Sequence, residues 1–109
     1  MDKVLSLQEI AEIVKPIAEK YGLRAVYLYG SYARGTADAD SDIDLVVDTT
    51  GTALTSLFAL GALYSELSAA LDKEIDLITL SSLTQAPQMP SEIGFRDKVQ
   101  IEKIKLYAA

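Results

Sequence analysis

Asp42 and Asp44 stand two residues apart in the run Asp-Ile-Asp-Leu-Val-Val-Asp, residues 42–48. Side chains alternate along an extended strand, so this spacing points both carboxylates the same way, with α-carbons roughly 6.5–7 Å apart. Asp76, in Glu-Ile-Asp-Leu-Ile, is a third carboxylate in another apolar run. If the two runs lie side by side, the three carboxylates converge. Two ionised carboxylates about 4 Å apart repel by about 4 kcal/mol at an effective dielectric of 20. Such a cluster needs a compensating cation, and magnesium is usually held by one or two carboxylates plus substrate phosphates. The pair alone fits the polar edge of an amphipathic strand equally well. Asp76 alone fits an ordinary exposed position better than a ligand.

Gly30-Ser31 is the second feature. A glycine after a strand lets the backbone approach a ligand closely, and a following helical turn directs its amides at a phosphate. The Ser31 hydroxyl adds a donor, and Arg34 in the same segment can reach a phosphate. Taken singly, these residues also fit a tight turn with a helix cap and an exposed charge.

The elements that carry them follow from periodicity. Ser6-Leu7-Gln8-Glu9 reads as a capping box that opens a helix. Leu7, Ile10, Val14, Ile17, Ala18 and Tyr21 continue it at helical spacing, and Gly22 ends it. Pro16 is expected to kink this helix. Residues 23–29 and 42–48 read as strands joined by a polar loop over 36–41. In the second strand Ile43, Leu45 and Val47 share one face, and Asp42, Asp44, Val46 and Asp48 the other. A helix over about 53–71 is expected to bury Leu54, Leu57, Phe58, Gly61, Tyr64, Leu67 and Leu71. Residues 74–80 read as a third strand. Ser91 is placed to cap a last helix, and 104–107 to form a short strand.

The link between the first two strands is too short for a helical crossover, so they are expected to pair antiparallel. The second helix is long enough to cross over to the third strand. The fold class is thus α/β in the broad sense (α+β): a small mixed sheet with helices packed on it. A length of 109 residues fits one domain, 1–109.

Composition narrows the chemistry. The chain has no cysteine and no histidine, which removes thiolate sites, cysteine nucleophiles and an imidazole base. Any metal must be held mainly by oxygen, which favours Mg2+ or Mn2+. A net charge of −6 argues against direct nucleic acid binding, which needs a basic face. No leader pattern or long apolar run is read, so no membrane association is expected and the default location is cytoplasmic.

Gly30-Ser31, ten residues, then Asp42-Ile43-Asp44 resembles the signature of the polymerase-beta-type nucleotidyltransferase superfamily. Four such fixed positions should match by chance roughly once in a thousand chains of this size. The whole segment from Gly30 to Leu45, with its Ala33-Arg34-Gly35 and Ser41-Asp42 parts, resembles the minimal nucleotidyltransferase (MNT) family. The resemblance covers nearly the whole chain and implies the nucleotidyltransferase fold. It implies two Mg2+ ions held by Asp42, Asp44 and Asp76, with Asp76 accepting the acceptor's proton. It also implies a nucleotide site that includes Gly30, Ser31, Arg34 and Ser41. ATP is the donor it implies. Small members are often paired with a HEPN-domain ribonuclease toxin, which they modify with AMP on a tyrosine as the antitoxin. Two other readings stay open: neutralisation of that partner by binding alone, and nucleotidyl transfer to a small molecule of the aminoglycoside type. One position departs from the pattern. Relatives often carry arginine where this chain has Asp38, which bears against an extra phosphate contact there.

Overall fold

The computed structural model describes residues 4–52, 54, 56–83 and 90–109. Helix α1 (Leu7–Tyr21) opens with the expected capping box. The Glu9 N–H donates to the Ser6 hydroxyl at 3.0 Å, and the Ser6 N–H donates to Glu9 Oε1 at 3.1 Å. This satisfies two of the backbone donors that a helix start leaves without partners. The helix continues through Pro16 to a left-handed Gly22, and the Leu23 N–H closes on the Ala18 carbonyl at 2.9 Å. Because Leu23 serves that closure, strand β1 (Ala25–Tyr29) starts two residues later than periodicity suggests.

After a short helix α2 (Ser31–Arg34) and a loop comes β2 (Ile43–Asp48). Helix α3 (Leu57–Leu71) leads to β3 (Ile75–Thr79), then a single 3-10 turn over Leu80–Leu83. Helix α4 (Pro90–Glu102) and β4 (Ile104–Ala108) follow. The sheet order is β3-β2-β1-β4. Strand β1 is antiparallel to both β2 and β4, and β2 is parallel to β3 across the α3 crossover. This is the mixed sheet with packed helices expected from the element order.

Alternation in the strands separates two apolar layers. Ile43, Leu45 and Val47 join Val26, Leu28 and Ile75 beneath α1 and α3. On the other face Val46 joins Tyr29, Leu83 and Val99 in a smaller cluster under α4. The site residues belong to that second face.

Three expected boundaries or faces shift. Helix α3 begins at Leu57, where the Ser56 hydroxyl accepts the Ala59 N–H at 3.1 Å. Its inward positions are Leu63, Leu67 and Leu71, while Leu57 and Phe58 are 87% and 93% exposed. The helix is apolar nearly all round, so periodicity alone could not choose its buried face. Helix α4 starts at Pro90 rather than after a Ser91 cap. Proline suits a first helical position because its missing N–H has no intrahelical partner there. Among the described residues, no helix is long and apolar enough to cross a membrane.

Candidate active site

The parallel register sets Asp44 opposite Asp76, and the antiparallel register sets Tyr29 opposite Asp44. A row of Tyr29, Asp44 and Asp76 therefore crosses three adjacent strands on one face, with neighbouring strands about 4.8 Å apart. Asp44 is half-buried at the centre of the row, while Asp76 is exposed. The Asp44 carboxyl is pushed up to about 6 by burial first, then by the charges of Asp76 and Asp42, against the opposing pull of Arg34. The Tyr29 hydroxyl donates to Asp76 Oδ2 at 3.1 Å. Burial, then the charges of Asp76 and Asp44, raise the pKa of that phenol further.

Asp42 precedes β2 and is exposed. Its charge is felt at Asp44, yet the three carboxylates do not close into a cage. Among the described residues no three His, Cys, Asp or Glu side chains form a group fit to hold a metal ion by themselves. Two carboxylates abreast, one carrying a pKa raised by burial and by its acidic neighbours, still fit a hard divalent ion that arrives with a phosphate ligand. The oxygen-only donor set suits Mg2+ or Mn2+.

Gly30 sits between β1 and α2 at φ 75°, ψ −153°, a region open essentially to glycine alone. A Cβ there would collide with Asp44 Oδ2 and lie 3.1 Å from its Cγ. The glycine therefore leaves room for the Asp44 carboxylate itself. Gly30 is the N-cap of α2 and supplies no side-chain cap, so Ser31 is the first helical residue rather than the cap. The Ser31 carbonyl accepts the Thr36 N–H at 2.9 Å.

The remaining expected site residues are held by their own surroundings. Arg34 pairs with Glu102 at the end of α4, Nη1 to Oε2 at 3.1 Å, while also facing Asp44. With the Arg34 side chain 41% exposed, such a pair contributes little to stability and is readily exchanged. The Ser41 hydroxyl accepts the Asp38 N–H at 2.9 Å and donates to Asp38 Oδ1 at 3.3 Å. Asp38 Oδ1 also accepts the Asp40 N–H at 2.9 Å. Asp38 is thus the hub of the loop before β2, an acceptor role that arginine cannot fill.

A cleft of about 240 Å3 is lined by Tyr29, Gly30, Arg34, Asp44, Asp76 and Lys98, with Val99 and Glu102 behind them. A larger, apolar cavity of about 300 Å3 lies between the start of α1 and α2, away from the carboxylates. Tyr29, Lys98 and Glu102 were not anticipated from sequence. Tyr29 shares the face of Asp44 only once the strand register is known, and the other two reach the cleft only through the packing of α4.

Asp44 gives an expected pH dependence. Its folded pKa of about 6 lies above the ordinary value of 3.8. The folded state thus favours the protonated acid, so its stabilising contribution is fully present below about 3.8 and is lost as pH rises through 6. In chelator, Asp44→Asn should flatten the part of the melting profile that falls across this window. Melting curves of both proteins over a pH series check it, and parallel profiles would refute the assignment.

The fold and the row of carboxylates beside a glycine turn define a nucleotidyltransferase. Residues 12–107 match the family described as Polymerase beta, Nucleotidyltransferase, and the chain belongs to that family. It is 38% identical over 84 residues to the protein adenylyltransferase MntA of Thermococcus cleftensis, covering 73% of this chain and 83% of that protein. It also resembles the crystal structure of a toxin–antitoxin complex with AMP-PNP, at TM-score 0.68 and 26% identity, covering 91% of this chain and 73% of that one. A third likeness is to a tri-AMPylated Shewanella oneidensis HEPN toxin in complex with its MNT antitoxin, at TM-score 0.65 and 24% identity, covering 94% and 73%. At that identity the likeness shows the fold.

Proposed function

We propose that this chain is an antitoxin of the MntA kind that transfers AMP from ATP to a tyrosine hydroxyl of a HEPN ribonuclease partner. The observation that carries the reading is the register of Asp44 with Asp76 on adjacent strands, directly beside Gly30. The 38% identity to a protein adenylyltransferase supports a protein acceptor.

Asp42, Asp44 and Asp76 are the residues to hold two Mg2+ ions, or Mn2+ in their place. Bound there, the ions would lower the pKa of the acceptor hydroxyl and neutralise charge on the attacking and leaving oxygens. Asp76, exposed at the edge of the row, is placed to take the proton from an incoming hydroxyl. The Gly30-Ser31 turn meets the phosphates, with Arg34 and Lys98 as the cations of the cleft. Ser41 acts from behind, holding the loop that presents Asp42. The acceptor oxygen bonds to the α-phosphorus, the bond to the β-phosphate oxygen breaks, and pyrophosphate leaves.

The direct test incubates the chain with labelled ATP, Mg2+ and a HEPN-domain protein from the same organism, then locates the label by mass spectrometry. AMP on a partner tyrosine, absent in excess chelator, is the expected result. Protection of cells from the partner without any label would establish neutralisation by binding instead.

Ser31→Ala separates two roles for the turn. Ser31 does not cap α2, so melting should hardly change. Loss of a hydrogen bond to a charged phosphate costs about 1.5–3 kcal/mol, or about ten- to a hundredfold in transfer if the bond tightens in the transition state. Paired melting and single-turnover transfer at saturating ATP measure it. A strong drop in melting with a normal rate would sink the phosphate role.

A further inference from the structure

We propose that Tyr29 is a positioning residue that fixes the carboxylate of Asp76. The proposal rests on the reading of Asp76 as a working carboxylate of the transfer site. Asp76 is the exposed residue of β3, and its in-register neighbour Asp44 repels it. Left alone, an aspartate so placed would rotate away from Asp44 toward solvent, where ionised carboxylates are best hydrated. The Tyr29 hydroxyl opposes that rotation by donating to Oδ2 at 3.1 Å.

The donor itself is held. Tyr29 is buried, and its ring belongs to the cluster formed with Val46, Leu83 and Val99. A tyrosine packed this way has few conformations left, so its hydroxyl occupies a fixed point over the sheet. With Oδ2 tethered, Oδ1 and the remaining lone pair of Oδ2 stay available at a defined angle to the cleft. Outer partners that orient a metal-binding or proton-accepting carboxylate in this way typically contribute ten- to a hundredfold to metal affinity or activity. Phenylalanine would supply the same ring to the cluster without the hydroxyl, so packing and positioning can be separated by one atom.

The experiment compares Tyr29→Phe with the unaltered chain. Mn2+ binding is measured by calorimetry in the presence of a non-hydrolysable ATP analogue, and AMP transfer to the partner by single turnover. The expected result is weakening of Mn2+ binding and slowing of transfer by about tenfold or more each. The KM for ATP at saturating Mg2+ and the melting temperature should be unchanged. In an Asp76→Asn background, Tyr29→Phe should weaken Mn2+ binding no further, because the hydroxyl acts through Asp76. Equal Mn2+ affinity and transfer in Tyr29→Phe would overturn the proposal. So would an undiminished effect of Tyr29→Phe when Asp76 is already Asn, since the hydroxyl would then be acting on something else. An unaltered chain that transfers no AMP would count against the function proposed above, while the Mn2+ comparison would still decide the role of Tyr29.

Discussion

Asp44→Asn should reduce AMP transfer about a hundred- to a thousandfold and yet raise the melting temperature of the metal-free protein near neutral pH. The two effects share one cause. Asp44 stands at the centre of the carboxylate row, half-buried, with Asp76 opposite and Asp42 two residues before it. Burial and those two charges all work against its ionised form, with Arg34 as the opposing influence. Asparagine keeps the shape and removes the charge, so the apo fold loses a repulsion. In the loaded enzyme the same charge would be needed to balance a cation at developing negative oxygens, where removal of one stabilising group typically costs a hundred- to a thousandfold. Single-turnover transfer and melting in chelator, on the same preparation, measure both. A variant that melts lower and transfers normally would mean that Asp44 is a structural residue. A variant that transfers nothing and still protects cells from the partner would favour neutralisation by binding.

Gly30→Ala should destabilise the fold by about 2–4 kcal/mol, combining a Gly-only backbone region with a steric clash. For a domain near this size that is roughly 10 °C or more in Tm. The φ of 75° with ψ of −153° accounts for one part, and the Cβ that meets the Asp44 carboxylate for the other. The parts can be separated, because Asp44→Ala removes the carboxylate and leaves the backbone angle. Gly30→Ala should therefore cost less when Asp44 is already Ala. Nucleotide binding should fail in Gly30→Ala even at temperatures where it is folded, since the displaced carboxylate is the one facing the cleft. Thermal melts of the four proteins in this cycle decide it. Unchanged melting of Gly30→Ala would show that the turn accepts a side chain.

What the sequence made legible was local. The two-residue spacing of Asp42 and Asp44, the capping box at Ser6 and the glycine after β1 each concern a few neighbouring residues. The short link between β1 and β2 was enough to give their antiparallel pairing, and α3 was long enough to cross over to β3. What stayed hidden depends on register and packing. That Asp44 meets Asp76 rather than a neighbour two residues away is a property of the sheet, and Tyr29 becomes a site residue only through it. The face of α3 was legible only in part: Leu67 and Leu71 are buried as expected, but leucines and alanines surround the helix, and only the tertiary fit adds Leu63 and leaves Leu57 and Phe58 outside. By resemblance Ser41 reads as a nucleotide contact and Asp38 as the loss of one. In space their side chains face each other, because a loop between two strands needs its own hydrogen bonds.

The strand order β3-β2-β1-β4 has a consequence for how the molecule is made. Synthesis delivers β1, β2 and β3 first, and with them the whole row from Tyr29 to Asp76. Strand β1 meanwhile keeps one flank of unpaired N–H and C=O groups until β4, the last strand made, emerges from the ribosome. Helix α4, which brings Lys98 and Glu102 to the cleft, is also late. A chain stalled or cut after β3 would thus carry its acidic row beside an open sheet edge, the kind of surface that recruits foreign strands.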